Sequence, residues 1–397
     1  MIAVMSRSRA SVDRPGSQSA LKNANQQRLL DLLLVNGELT QAEIARRSGL
    51  APATVSNIVR ELVDQGVLMG TDSSKPRGRV VRLARASGVA VGVDFGYRHI
   101  TAAVADLSHT ILSTRRVVLE VGYDARGAMD RARQLIEDVL DEAGAEWDDV
   151  VGVGAGLPSP IDSRTRKLGA PSLLPDWEGL DVDEFISHAI GRDVAVENDA
   201  NLGALAEHVW GAGRGFDNMA YLKLSEGVGA GLVLDGKLFH GGRAGTAGEI
   251  GHTTVDEYGA VCRCGNRGCL ETLVAARAVV TLLEPVRGAG LTIADIVERA
   301  ERGDAACRRV LADTGRQTGV ALANLCNLLN PERVIIGGEL AVAGELLLQP
   351  MREIVRRYAI PSAVATLDLV LGSLGPNAHV LGAVALALRD QAHLINS

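Results

Sequence analysis

One histidine and three cysteines form the densest group of potential metal ligands in the sequence. The histidine follows a Gly-Glu-Ile-Gly run, and the cysteines come ten, twelve and seventeen residues after it. An imidazole and three thiolates are a complete tetrahedral ligand set for Zn²⁺, with no position left for a water molecule. The alternative is a glycine-rich loop that holds reduced cysteines, but four such residues rarely cluster without a metal. The sequence therefore predicts a structural zinc site made of His252, Cys262, Cys264 and Cys269.

A second polar group stands where a predicted strand meets a predicted helix. Residues 194–197 have the pattern of a strand, and a helix is predicted over 202–210. Asn198, Asp199 and Asn201 lie between the two. A carboxylate and amides at the end of a strand, beside the start of a helix, are typical of ligand sites in α/β proteins.

The composition is that of a large protein with aliphatic cores. The 397 residues are enough for two or three domains. No apolar run approaches the ~18 residues of a membrane span, and residues 1–20 lack the apolar centre of a signal peptide. The five cysteines are odd in number and mostly clustered, which indicates a reducing compartment. We therefore expect a cytoplasmic protein with no membrane partner.

The net charge of −7 conceals an asymmetry along the chain. Residues 1–86 contain 13 Lys and Arg against 7 Asp and Glu, a net charge of +6, while the remainder carries −13. A basic N-terminal module on an acidic body predicts that only the small module contacts a polyanion.

The basic module has the pattern of three helices. Leucines over 29–34 mark the first helix, and Thr40 with Glu43 forms a capping box at the start of the second. The third helix begins near Pro52. Its buried face is predicted to comprise Val55, Ile58, Val59, Leu62 and Val63. Two short helices joined by a glycine turn are the helix-turn-helix arrangement.

Two polar surfaces of this module suit nucleic acid. The exposed face of the third helix is predicted to meet base edges and phosphates in a major groove, through Thr54, Ser56, Asn57 and Arg60. Strands over 67–69 and 80–83 enclose a basic wing for phosphate or minor-groove contacts, with Lys75, Arg77 and Arg79. The module is therefore predicted to bind double-stranded DNA. The alternative, a small helical protein-interaction domain, leaves the basic wing unexplained.

The acidic body repeats one plan. A strand over 89–96 leads through a glycine turn to a strand over 100–106, and residues 219–234 repeat this order. Two copies indicate two related lobes with a cleft between them. Further strands are predicted over 150–156 and 334–337. The apolar helix over 314–329 belongs either to a subunit interface or to the core.

These motifs together resemble the signature of the ROK family (repressors, open reading frames and sugar kinases). The resemblance rests on residues 248–252, the three clustered cysteines and Glu271, and it covers nearly the whole chain. Asn198-Asp199, the loop at 154–158 and the N-terminal winged helix-turn-helix fit the repressor branch of that family. The resemblance implies an α/β fold with an actin-like, two-lobed body of the sugar-kinase and Hsp70 type.

The resemblance also implies a division of the chain and a set of sugar ligands. We expect a flexible arm at 1–20, the winged helix-turn-helix at 21–86, a first lobe at 87–200 plus 381–397, and a second lobe at 201–380 with a zinc loop at 249–271. A sugar is expected between the lobes, on Asn198, Asp199, Glu249, His252 and Glu271. Carboxylates and amides pair with sugar hydroxyls and reject analogues that lack them. His252 would serve the zinc with one ring nitrogen and the sugar with the other.

Two departures from the kinases of the family favour a sensor over an enzyme. The resemblance makes Asp199 the base that would take a proton from the sugar hydroxyl. Those kinases carry Asp-x-Gly-Gly-Thr after the first strand, whereas Tyr97 and Arg98 replace its second glycine and its threonine here. The second turn reads Ser225-Glu226 where Gly-Thr is usual. A tyrosine crowds a phosphate and a glutamate repels it, so we predict no catalytic residue, with Asp199 as the base if the protein is a kinase.

The combined prediction is a sugar-responsive, DNA-binding regulator of carbohydrate metabolism genes, with repression as the default. Its predicted partners are an operator in double-stranded DNA and a sugar or sugar phosphate, and its predicted cofactor is Zn²⁺. A homodimer or homotetramer would place two heads on a palindromic operator. An ATP-dependent hexose or aminosugar kinase with a DNA-binding head, and a zinc-stabilised scaffold that binds no sugar, are the alternatives. The sequence identifies neither the sugar nor the operator.

Overall fold

The computed structural model of the chain describes residues 18–71, 80–84, 88–169 and 172–394. Residues 1–17 of the predicted arm lie outside these ranges, as do Lys75, Arg77 and Arg79 of the predicted wing. Residues 18–20, which the sequence assigned to the arm, begin the first helix instead.

The N-terminal head folds as predicted, with one additional strand. Thr40 and Glu43 form the reciprocal capping box, and Gly49 ends the second helix with φ +71°. The predicted hairpin is present, and a three-residue strand that the sequence did not reveal pairs with its second strand. The elements of the head are α1 (Gln18–Asn36), β1 (Glu38–Thr40), α2 (Gln41–Ser48), α3 (Pro52–Asp64), β2 (Leu68–Thr71) and β3 (Val80–Leu83).

Helix α3 separates an apolar face from a polar one. Four of its five predicted core residues are buried, namely Val55, Ile58, Val59 and Leu62. Val63, predicted to be buried with them, is instead 39% exposed, because it lies beyond the edge of the narrow apolar stripe. On the polar face, Asn57 and Arg60 are exposed and Thr54 and Ser56 are half-buried.

The first lobe of the body is a five-stranded sheet with strand order β6-β5-β4-β7-β8. Its central strand β4 is buried along its whole length. Strands β7 and β8 run parallel to it, and β5 and β6 form an antiparallel meander. Its elements are β4 (Val89–Gly96), β5 (His99–Asp106), β6 (Ile111–Val118), α4 (Ala125–Ala143), β7 (Val150–Leu157), α5 (Val182–Ile190), β8 (Val194–Asn198) and α6 (Asp199–Val209).

The second lobe repeats this sheet. Its strand order, β11-β10-β9-β12-β13, is that of the first lobe, with the same antiparallel meander followed by two parallel strands. The elements are β9 (Met219–Leu224), β10 (Val228–Leu234), β11 (Lys237–Leu238), α7 (Glu271–Val274), α8 (Ala276–Arg287), α9 (Ile293–Glu301), α10 (Ala305–Leu329), β12 (Arg333–Gly337), α11 (Glu345–Tyr358), α12 (Pro361–Val364) and β13 (Asp368–Leu371). The internal duplication confirms the predicted pair of related lobes.

The predicted helix over 314–329 is the second half of α10, and most of it lies in the core. A Cβ atom at Gly315 would lie 2.3 Å from the Leu347 carbonyl oxygen, which shows how closely α11 approaches. Thr318 and Cys326 are fully buried, whereas Leu328, near the end of the helix, is 82% exposed.

The last helix of the chain packs against the first sheet and α6, and the head packs on that helix in turn. The last helix, α13 (Ala378–Leu394), packs against β4, β7 and α6. A Cβ atom at Gly382 would lie 2.0 Å from the Leu202 carbonyl oxygen, so a glycine is required where α13 and α6 touch. Helix α1 of the head packs on α13, and Leu29 and Leu33 share one core with Val380 and Val384. Within the described residues, no helix is long and apolar enough to cross a membrane.

Candidate functional site

The structure brings the four predicted metal ligands together. The ligand atoms of His252, Cys262, Cys264 and Cys269 all lie within 4.8 Å of one another. Cys262 Sγ is 3.6 Å from His252 Nδ1, and Cys264 Sγ is 3.7 Å from Cys269 Sγ. Two sulfur atoms on a tetrahedral zinc ion are about 3.7 Å apart, because each Zn–S bond is about 2.3 Å long. The cluster therefore has the size and the donor set of a metal site.

Short backbone contacts hold this loop in shape. Cys262 N–H donates to the Asn266 carbonyl at 2.7 Å, which closes the turn that carries Cys264. Gly268 has φ +66°, and a Cβ atom there would collide with the Asp256 carbonyl oxygen. Burial raises the pKa of the Cys269 thiol to about 12, so ionising this sulfur requires a cation beside it. The loop is thus folded around a space that suits a metal ion.

Asn198 and Asp199 begin helix α6 at the floor of the cleft. The Asn198 side-chain oxygen accepts hydrogen bonds from the N–H groups of Ala200 at 2.9 Å and Asn201 at 3.4 Å. This oxygen caps the helix, which leaves the amide nitrogen as the group available to a ligand. The Asp199 carboxylate is 4% exposed and accepts a hydrogen bond from Lys223 Nζ.

Glu271 joins the metal loop to the second sheet. Its Oε2 accepts from Arg263 Nη2 at 2.8 Å and from the Val228 N–H at 3.1 Å. Cys262 Sγ lies 4.0 Å from the other carboxylate oxygen. The Glu271 carboxylate thus contacts the predicted metal ligand Cys262 and its neighbour Arg263, which lies between two predicted metal ligands. It also contacts Val228, the first residue of β10.

Glu249 completes a group of three carboxylates. Burial and the negative charges of Asp199 and Glu271 raise its pKa to about 7. Glu249 Oε2 also lies 3.8 Å from His252 Nε2, the ring nitrogen that faces away from Cys262. The five residues predicted to bind a sugar are therefore gathered in one place, beside the metal ligands.

Several residues of this site were not identified from the sequence. Lys223 and Arg263 each neutralise one of the three carboxylates. Glu197 accepts hydrogen bonds from Asn201 Nδ2 at 3.0 Å and from the Asn198 N–H at 2.7 Å, and it pairs with His240 at 2.7 Å. This pairing lowers the pKa of Glu197 against the effect of burial and raises that of His240. A lysine in an otherwise apolar, fully buried strand was the clearest signal available for Lys223.

Bulky or charged side chains stand in the β4–β5 turn and in the β9–β10 turn, where the sequence analysis places the altered phosphate motifs. Tyr97 and Arg98 form the β4–β5 turn, and neither has a positive φ. The ring of His99 fills the space over Gly96, because a Cβ atom at Gly96 would lie 2.0 Å from it. On the opposite lobe, partial burial and the charge of Glu226 raise the pKa of Glu339. Bulky side chains thus occupy the first turn, and negative charge gathers at the second.

Strand β4, the first strand of the body, has a buried carboxylate near its end. Asp94 is 1% exposed, and its Oδ2 lies 2.9 Å from His99 Nε2. Burial opposes its ionisation, but the hydrogen bond and charge of His99 lower its pKa to about 2. Its Oδ1 has no hydrogen-bond partner among the described residues. Asp94 is therefore a second buried carboxylate at the floor of the cleft, in addition to Asp199.

Comparisons with known proteins match each part of the chain to a known family or type of domain. The sequence profile of the ROK family matches residues 90–390, and that of a winged helix-turn-helix DNA-binding domain matches residues 22–69. The xylose repressor of Caldicellulosiruptor bescii is 29% identical over 393 residues, which cover 94% of this chain and 98% of that protein. The glucokinase of Thermotoga maritima is 32% identical over 315 residues, which cover 75% of this chain and 96% of that enzyme.

A solved structure is similar over nearly the whole length. The crystal structure of a ROK family transcriptional regulator, a homolog of the E. coli MLC protein, aligns with a TM-score of 0.74 and 28% identity, over 95% of this chain and 100% of its own. The xylose repressor and this transcriptional regulator thus match the head as well as the body, whereas the match to the glucokinase covers about three quarters of the chain.

Proposed function

The chain belongs to the ROK family, whose actin-like sugar-kinase fold its body has, and we propose that it is a sugar-responsive repressor of carbohydrate metabolism genes. The observation that carries the proposal is the union of a winged helix-turn-helix head with a complete two-lobed body in one chain. The similarity to the xylose repressor extends through both parts. The head binds operator DNA, and the body senses the sugar.

The DNA contact is assigned to the polar face of α3. Asn57 and Arg60 are exposed there, where a side chain can reach base edges or phosphates in a major groove. Thr54 and Ser56 are half-buried and flank them. A homodimer places two such helices on the half-sites of a palindrome.

The sugar contact is assigned to the five gathered residues of the cleft, Asn198, Asp199, Glu249, His252 and Glu271. Their carboxylates accept hydrogen bonds from sugar hydroxyls, and the Asn198 amide nitrogen donates to a sugar oxygen. Because such groups are left unpaired by a ligand without the matching hydroxyls, the site selects strongly among carbohydrates.

We assign Zn²⁺ to His252, Cys262, Cys264 and Cys269, because the ligand spacing and the three thiols suit this ion. When bound, zinc would supply no chemistry to a reaction, since four protein ligands complete its coordination, and it would tie His252 to the loop that carries the three cysteines. The protein groups then do the recognition. His252 offers Nε2 to the cleft, and Glu249 lies beside it.

The body is proposed to sense the sugar without phosphorylating it. The supporting observations are the side chains that fill the two turns, Tyr97, Arg98 and Glu226, and the pairing of Asp199 with Lys223. A coupled assay for ADP with Mg-ATP and a panel of pentoses, hexoses and aminosugars tests this. We expect no sugar-dependent turnover. If the wild-type protein phosphorylates a sugar and Asp199→Asn abolishes that activity, the alternative is established, namely a sugar kinase with a DNA-binding head.

Operator binding tests the regulator assignment. The measurement is fluorescence anisotropy at physiological salt, with a labelled fragment of the DNA upstream of the protein's own gene. We expect the sugar to weaken binding, and Arg60→Ala combined with Arg77→Ala to weaken it by about tenfold or more, since each lost arginine contact costs about 1–3 kcal/mol. Arg302→Ala, an exposed arginine of the second lobe, is the matched control. Equal affinities of the double variant and this control would contradict the winged-helix assignment.

A further inference from the structure

Lys223 is the only buried lysine among the residues that the structure describes. It lies in β9, where all six residues are buried, and is 8% exposed. In the sheet it stands opposite Gly229 on one side and Gly337 on the other, so neither neighbouring strand places a side chain across from it. The long side chain reaches the start of α6, where its ammonium group meets Asp199.

The ammonium ion of Lys223 contacts one carboxylate of the cleft floor and acts on a second through its charge. It donates to Asp199 at the start of α6. It is also close enough to Asp94, at the end of the central strand of the first lobe, for its charge to help lower the pKa of that carboxyl. A buried ion pair of this kind persists only where both charges are compensated, and removal of one partner leaves the other uncompensated.

This pairing decides what Asp199 can do to a hydroxyl. A carboxylate that is paired with an ammonium ion keeps its negative charge and its lone pairs, so it still accepts a hydrogen bond. The ion pair also fixes the orientation of the carboxylate, so that its remaining lone pairs are held in one direction. The pair thus presents Asp199 as a fixed acceptor for a hydroxyl.

Resting on the proposed function, we propose that Lys223 is a positioning and specificity residue of the sugar site, which holds Asp199 as a fixed acceptor for an uncharged sugar hydroxyl. The effector class follows from the charges. The one ammonium ion at this carboxylate is already paired with Asp199, so it is not free to neutralise a phosphate group. A phosphate ester at the hydroxyl that faces Asp199 meets negative charge, so the effector is a free sugar at that position.

The experiment is a double-mutant cycle on sugar affinity. Free sugars and their phosphate esters are first titrated into the wild-type protein by calorimetry, and the best ligand is carried forward. Lys223→Met removes the ammonium ion at similar length, and Asp199→Asn removes the charge of its partner. Lys237→Met, an exposed lysine of the same sheet, is the matched control. Thermal unfolding and metal content are recorded for every variant.

We expect a free sugar to bind most tightly, and each single variant to weaken it by about tenfold or more. The double variant should bind the sugar no less tightly than the single variant with the lower affinity, because the two residues act as one unit. The double variant also leaves no unpaired buried charge, so it remains available if Lys223→Met does not fold. Lys237→Met should bind as the wild type does.

Three outcomes overturn parts of this reasoning separately. If no member of the panel binds the wild-type protein, the proposed function fails, and this inference fails with it. If the sugar binds but Lys223→Met retains wild-type affinity, or the two single effects multiply in the double variant, only the role of Lys223 is wrong. If a phosphate ester binds most tightly, the assigned effector class is wrong.

Discussion

Glu271 gives the clearest view of how single residues link the metal loop to the cleft. Its carboxylate accepts from Arg263, which lies between two metal ligands, and from the first N–H of β10. It is 7% exposed, so these bonds are shielded from water. A change in the metal loop therefore moves a carboxylate that is assigned to the sugar, and the proposed zinc ion acts as a brace for recognition.

Cys264→Ser tests this brace. Cys264 is the metal ligand nearest the tip of the loop, and serine is a poor ligand for zinc. We expect the variant to lose its metal, unfold at a lower temperature and bind its sugar about tenfold or more weakly, because the ligands that metal binding orients are released. Metal content by atomic absorption, thermal unfolding and calorimetry measure the three effects. Cys326→Ser, a buried cysteine of α10 remote from the cluster, should retain the metal. A metal-free variant with normal sugar affinity would exclude the brace.

The sequence was informative about residues whose partners are close in the chain. The four predicted metal ligands were recognised as a group because they fall within eighteen residues, and the Thr40–Glu43 box because it spans one helical turn. The partners of Asp199 and Glu197 were not, since Lys223 follows Asp199 by 24 residues and His240 follows Glu197 by 43. Such contacts depend on how two lobes come together, which local patterns do not encode.

Helix α6 is the element that connects the sugar site to the head. It begins at Asn198 and Asp199 and is followed by Trp210. Trp210 Nε1 donates to the His109 carbonyl at 2.8 Å, and the two rings lie 5.1 Å apart. The His109 ring in turn fills the space beside Gly37, where a Cβ atom would lie 2.9 Å from it. A displacement of α6 is thus passed by direct contacts to the turn that ends α1.

Trp210→Phe should weaken this connection. Phenylalanine keeps an aromatic ring but removes the donor to His109, so the head is held less firmly to α6. We expect sugar affinity and sugar-free operator affinity to stay within about threefold of wild type, while the sugar-induced loss of operator binding shrinks by about 1 kcal/mol. Anisotropy titrations with and without sugar measure this. Trp147→Phe, in the first lobe, is the control. An unchanged sugar response in Trp210→Phe would show that coupling runs elsewhere, for example through α13 and α1.

At the scale of secondary-structure elements, the sequence predicted helices and strands well where the apolar residues recurred with a clear period. Seven of the ten strands of the two lobes were expected within a few residues of their bounds, as was α3, whereas β6, β11 and β13 were not expected. Strand β1 was not expected, because three residues have no measurable period and gain their structure only by pairing with β3 some forty residues later. Helix α1 begins earlier than expected because residues 18–22 carry no apolar pattern.

Across the whole molecule, two equivalent sheets meet at a cleft and are joined by α6 and α13. Polar contacts also cross the cleft: Lys223 pairs with Asp199, His240 pairs with Glu197, and Ser163 donates to the Arg243 carbonyl. The relationship between the two lobes was predictable from the repeated strand and turn pattern. The relative pose of the lobes was not, because it is set by these long-range pairs and by the close approach of α13 at Gly382.

If the sugar acts by shifting that pose, its effect on DNA must be reciprocal. Sugar and operator then favour different arrangements of one protein, and each weakens the other by the same factor, typically about 5–150-fold. The first factor comes from anisotropy of labelled operator across a sugar series. The second comes from calorimetry of sugar into free protein and into the protein–operator complex. A duplex of scrambled sequence, at the same length and salt, should leave sugar affinity unchanged. Two factors that differ by more than about threefold would mean that the sugar changes operator binding by another route, such as the assembly state of the chain, because linkage at equilibrium permits no such difference.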